Sequence, residues 1–77
     1  MEDWKERLKA EYAQLKDRLE KLHRFNVKQE ATHRMQPCRF EKVEDDQNFH
    51  LCREQEEVMT RYLYTLELRA EIYGIEL

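Results

Sequence analysis

Residues 4–25 read WKERLKAEYAQLKDRLEKLHRF, and this stretch decides the fold. Its apolar members Trp4, Leu8, Tyr12, Leu15, Leu19, Leu22 and Phe25 recur at steps of 4, 4, 3, 4, 3 and 3 residues. That spacing stacks them on one face of an α-helix. Asp3 followed by Glu6 supplies a helix start, a capping side chain with a carboxylate three residues on. The pairs Asp3–Arg7, Asp17–Lys21 and Glu20–Arg24 have the favourable i,i+4 order, each contributing about 0.2–0.5 kcal/mol. The first helix is therefore expected over about residues 3–25.

A second stripe follows downstream. Phe49, Cys52, Gln55, Met59, Tyr62, Leu63, Leu66, Ala70 and Tyr73 trace one broad helical face, preceded by Asp45, Asp46 and Asn48 and ended by Gly74. Short polar residues favour the first turn, where they cap free N–H groups and meet the positive end of the helix dipole. Glycine favours the residue just past the last turn. The second helix is expected over about 46–73. Between the two, residues 26–45 hold β-branched Val27 and Thr32, the only proline (Pro37) and no sustained stripe. This middle is expected to be a long irregular segment, anchored on the core by Phe40 and Val43.

Composition supports the same class. Of 77 residues, 40% are charged and 40% hydrophobic, with one Gly and one Pro, too few for the tight turns of a sandwich or barrel. The expected fold is all-α: a single domain over residues 1–77, an antiparallel helical hairpin with an irregular middle. Two helices cover only one face of each other, so apolar edges at Tyr12, Tyr62, Leu63 and Tyr73 call for assembly into a homo-oligomeric bundle. No apolar run reaches the roughly 20 residues of a membrane span, and the acidic, polar N-terminus is unlike a signal peptide. A cytoplasmic protein with reduced Cys38 and Cys52 is expected.

The charge is uneven. Residues 1–42 hold eleven Lys/Arg against eight Asp/Glu, and residues 43–77 hold three against nine, within a net charge of −3. Such asymmetry favours self-association and gives the first half an affinity for anions. Catalysis is not expected: there is no serine for a nucleophile, and a single glycine cannot build a phosphate-cradling loop. No cofactor is implied. His33, Cys38, His50 and Cys52 are zinc-type ligands, but their H-x4-C-x11-H-x-C spacing lacks the close cysteine pair of a zinc finger, so no metal site is expected. The cations of the first helix are interleaved with acids, which disfavours binding to long nucleic acid. A small phosphate ligand needs only a few convergent cations and an aromatic ring. Tyr12 with Arg7, Arg24 and Lys28, or Arg69 with Tyr62 and Tyr73, offer those parts. Ordinary roles stay open for the same residues, Tyr12 at the core edge and Arg69 paired with a neighbouring glutamate.

Taken together, Glu6, Arg7, Glu11, Leu15, Leu19, Leu22 and Phe25 with Leu51, Gln55, Met59, Tyr62, Leu63, Leu66, Arg69 and Ile72 form two blocks across a variable middle. This pairing resembles the small bacteriophage helical-hairpin proteins that act as anti-CBASS and anti-Thoeris sponges. The resemblance covers residues 4–25 and 49–72. It implies a homo-oligomeric anti-defence protein of the host bacterial cytoplasm that sequesters cyclic di- or trinucleotide immune signals between protomers without cleaving them. It further implies that Tyr12 stacks on a base, that Lys28 approaches the phosphates, and that Arg69 serves a separate site. A different class of interaction protein is the alternative: a small acidic phage inhibitor, anti-CRISPR-like, that masks a host defence protein. There Glu44, Asp45, Asp46, Glu54, Glu56 and Glu57 would mimic nucleic-acid charge. A structural helical oligomer without a ligand is the third reading.

Overall fold

The computed structural model describes residues 3–77. Helix α1 spans Asp3–Met35, a 3-10 turn spans Pro37–Phe40, and helix α2 spans Val43–Ile72. Contacts join residue 12 to 67, 23 to 56 and 26 to 52, so α2 runs back along α1 in the opposite direction. The body is a rod of 55 × 18 × 15 Å.

The expected irregular middle over 26–45 is corrected: α1 continues without a break to Met35. Lys28, Gln29, Glu30, Ala31, Arg34 and Met35 are good helix formers, and Val27 and Thr32 cost only tenths of a kcal/mol by comparison. Proline sets the boundary instead. Gln36, directly before Pro37, sits at φ −138° and ψ 67°, outside the helical region as the proline ring requires. The reversal is then short, closed by Gln36 N–H donating to Thr32 O at 2.7 Å and Arg39 N–H to Gln36 O at 3.1 Å.

The start of α2 also differs. It begins at Val43 rather than near Asp46, behind Lys42, with no side chain capping it. Glu44, Asp45 and Asp46 all fall in its first turn, where their charge opposes the dipole of the free N–H groups. At the far end Gly74 takes φ 66°, Ile75 N–H reaches Ala70 O at 2.8 Å and Gly74 N–H reaches Glu71 O at 3.3 Å. This is the Schellman arrangement, and Ile75 folds back on the core as that arrangement favours.

The interhelical seam alternates steps of 4 and 3: residues 8, 12, 15, 19, 22 and 26 on α1 face 49, 52, 56, 59, 63, 66 and 70 on α2. An average of 3.5 residues is the coiled-coil repeat, which keeps a straight stripe against one partner. Leu8, Leu15, Leu66 and Ala70 are buried, with Tyr12, Met59, Leu63 and Ile75 packed around them. Phe25 does not continue the stripe: it is 42% exposed, whereas Asn26 beside it is 7% exposed. A second cluster holds the reversal, with buried Phe49 stacked on His33 at 4.9 Å and edge-on to Phe40 at 5.4 Å. Trp4 closes the opposite end, edge-on to Tyr73 at 4.8 Å.

Candidate ligand-binding surfaces

The first half of α1 presents an aromatic ring among cations. Tyr12 is half-buried, and its hydroxyl donates to Glu67 Oε2 across the seam at 3.1 Å. That bond fixes the ring's tilt. Burial, the hydrogen bond and the Glu67 charge all push the phenol above its ordinary value, so the ring stays neutral at physiological pH. Lys16 Nζ lies 5.9 Å from the ring centre, a cation–π distance. Lys9, Tyr12, Ala13 and Lys16 line a shallow depression of about 300 Å³ with Glu76 and Leu77. Lys9 also pairs with Glu6 at 3.6 Å.

The cations singled out with Tyr12 by sequence do not gather round it. Lys28 is sixteen residues further on, about 24 Å along the axis at 1.5 Å per residue, and Arg24 is about 18 Å away. Arg7 is near in height but about 140° round the helix. Lys9 and Lys16, one turn either side of Tyr12, take the places expected for the arginines. Both fall on the turns adjoining Tyr12, a signal already present in the i,i+3/i+4 rule. Arg69 stands on α2 about 100° round from the seam, two turns after exposed Tyr62, while Tyr73 turns its ring to Trp4. Among the described residues Arg7, Arg24, Lys28 and Arg69 have no carboxylate within 4.0 Å, so Arg69 is not tied to a neighbouring glutamate.

A polar layer went unnoticed in the sequence. Asn26 Nδ2 donates to Cys52 O at 3.0 Å and to Glu56 Oε1 at 2.8 Å, and His23 Nδ1 meets Glu56 Oε2 at 2.7 Å. The Asn26 and His23 hydrogen bonds hold the Glu56 carboxyl below its ordinary range, outweighing the opposing effect of burial. Beside it Glu30 meets both Arg53, at 3.0 Å, and Arg34, at 3.4 Å. These groups edge a groove of about 520 Å³ floored by Val27 and Ala31. Glu30 and Glu56 engage its cations, so the groove joins the helices rather than presenting free positive charge. The signal for it was Asn26 itself, a polar residue four positions after Leu22 on the 4-3 stripe.

The remaining sequence-level candidates are separate. Cys38 is exposed in the 3-10 turn, and the Cys52 thiol donates to Asn48 Oδ1 at 3.7 Å. Among the described residues no three His, Cys, Asp or Glu side chains are placed to hold a metal ion. No helix among them is long and apolar enough to cross a membrane. Of the acidic second half, Glu56 is committed to Asn26 and His23, and Asp46 lies 3.7 Å from His50.

Compared with known proteins, the chain matches the family model described as Sequestin over residues 2–72. No curated protein and no solved structure matches it.

Proposed function

Because the chain belongs to the Sequestin family, we propose that it sequesters a cyclic oligonucleotide immune signal, holding it intact between copies of itself. In this reading it is a phage-encoded anti-defence sponge of the anti-CBASS kind that works in the host bacterial cytoplasm and denies the effector its activator. It is a binding protein, not an enzyme.

One observation carries the ligand class: the neutral Tyr12 ring, fixed by Glu67 and flanked by Lys9 and Lys16. A base stacks on the ring, contributing about 1–3 kcal/mol. The lysines give its phosphates charge-assisted hydrogen bonds. The 300 Å³ depression has room for about one nucleoside. The rest of a cyclic di- or trinucleotide needs a second wall. Lys28, about 24 Å along the same helix, reaches the phosphates only from another copy, so the site is shared.

Homo-oligomer assembly is supported by surface area as well. The 9.6 kDa chain exposes 6376 Å², against about 5,100 Å² for a compact monomer of that mass. The excess of about 1,300 Å² per chain is more than the roughly 800 Å² that each partner buries in an ordinary stable interface.

The test is a calorimetric titration of the wild type, Tyr12→Phe and Tyr12→Ala with cyclic dinucleotides. Tyr12→Phe keeps the stacking face and should bind within a few-fold of wild type. Tyr12→Ala should weaken binding by about 5- to 150-fold for each stacked base. Equal binding by all three would remove Tyr12 from the site.

A further inference from the structure

Helix α2 carries a second stripe besides the one that packs on α1. Leu51, Gln55, Val58, Tyr62, Thr65, Arg69 and Ile72 recur at steps of 4, 3, 4, 3, 4 and 3 residues, about 110° round the helix from the first. Its apolar members are open to water: Leu51 is 57% exposed, Val58 56%, Tyr62 42% and Ile72 76%. Four of its seven positions are apolar, interrupted by Gln55, Thr65 and Arg69, and α1, which lies on the other seam, leaves this face uncovered.

We propose that a second copy of this chain docks on this stripe, its α2 antiparallel to the first about a two-fold axis between Arg61 and Tyr62, with Glu54 paired to Arg69 of the other copy on each side. The proposal rests on the oligomer of the preceding reading and says where it forms. Residue positions argue for it. An isologous contact requires that residue i meet j while j meets i. About a centre between 61 and 62, Leu51 mirrors Ile72, Glu54 mirrors Arg69, and Val58 mirrors Thr65. Gln55 mirrors Leu68 and Arg61 mirrors Tyr62, so two pairs are apolar with apolar or threonine methyl, one sets a guanidinium against an aromatic ring, and at Glu54 and Arg69 acid meets base.

Charge also decides the direction. In a parallel pairing Glu54 would face Glu54 and Arg69 would face Arg69, which is repulsive at both ends of the stripe. Antiparallel pairing turns both into attractions. Among the described residues neither the Glu54 carboxylate nor the Arg69 guanidinium has an ion-pair or hydrogen-bond partner within its own chain. The stripe runs about 32 Å from Leu51 to Ile72. Because Tyr12 and Lys28 stand on α1, this contact is separate from the shared ligand site, and the two can be broken independently.

Sedimentation velocity on the full chain tests it, with far-ultraviolet circular dichroism to verify helical content. Glu54→Arg and Arg69→Glu should each weaken the α2 contact by about tenfold or more at low salt, because each places like charges together twice. The double swap, Glu54→Arg with Arg69→Glu, should restore assembly, which no merely structural role for either residue would produce. Val58→Arg, which buries an unpaired charge in the seam, should dissociate the contact with helicity unchanged. Wild-type assembly in both Glu54→Arg and Val58→Arg would overturn the interface while leaving the sponge reading intact. A wild-type chain that sediments as a monomer at every concentration would overturn both.

Discussion

Replacing Asn26 by alanine removes the one polar residue that, among the described residues, is buried in the seam, and the structure sets the cost. Two hydrogen bonds disappear, one to Cys52 O at 3.0 Å and one to the Glu56 carboxylate at 2.8 Å. A neutral bond contributes about 1 kcal/mol net and one to a charged group about 1.5–3 kcal/mol. Glu56 retains His23, and its side chain is 27% exposed, so it regains water and the charged term falls to the low end. The expected loss is therefore about 2–3 kcal/mol, or roughly 10–20 °C in Tm for a domain of this size. Asn26→Leu removes the same bonds but fills the stripe with apolar volume, and the Cys52 carbonyl lies within α2. It should be close to neutral, as exchanges of buried polar groups for packed apolar ones often are. The assay is urea denaturation followed by circular dichroism at one fixed protein concentration, since association adds to apparent stability. A cost below about 0.5 kcal/mol for Asn26→Ala would refute the view that this layer holds the helices together.

Other consequences are checked in the same way. Glu56 has a folded-state pKa below its ordinary 4.5, so the unfolded chain binds the proton more tightly. Its contribution to stability is complete above about pH 4.5 and is lost as pH falls through the lowered folded value. Urea midpoints of the wild type should therefore drop in acid more steeply than those of Glu56→Gln; parallel curves would contradict this. Gly74→Ala meets no atom within 4 Å, so its only penalty is the left-handed φ of 66°. A loss of about 1 kcal/mol is expected in thermal melts, and an unchanged melt would mean that the turn relaxes.

How much was legible in the sequence follows from what each residue type encodes locally. Leu8, Leu15, Leu66 and Ala70 are buried because a 4-3 apolar rhythm admits one face only. Gly74 marked the end of α2 since few other residues accept its φ. Polarity does not mark exposure along this stripe: Asn26 is buried and Phe25 is half exposed. Counting Phe25 as core and Asn26 as the start of a loop ended α1 ten residues early. The fact that Asn26 is satisfied by Glu56, thirty residues away, is a tertiary fact that no local rule carries. Pro37 was correctly a breaker, but it acts at Gln36 alone and left Val27 to Met35 helical. Of the candidate site, Tyr12 was legible as an aromatic at the stripe's edge. Its cation neighbours were not chosen by helical geometry, which favours Lys9 and Lys16 over Arg7 and Arg24. Nor does the chain bring Lys28 to Tyr12, since sixteen residues of one helix, about 24 Å, separate them.

The most direct test of the account is native mass spectrometry of the purified protein after mixing with a panel of cyclic di- and trinucleotides. The expected result is an oligomer that retains a nucleotide in fixed proportion to its protomers and releases it unaltered on denaturation. An oligomer that retains none of the panel would contradict it, and so would one that releases linear or hydrolysed products. The first of these would favour a protein that masks a host partner through free acidic residues such as Glu44 and Glu57.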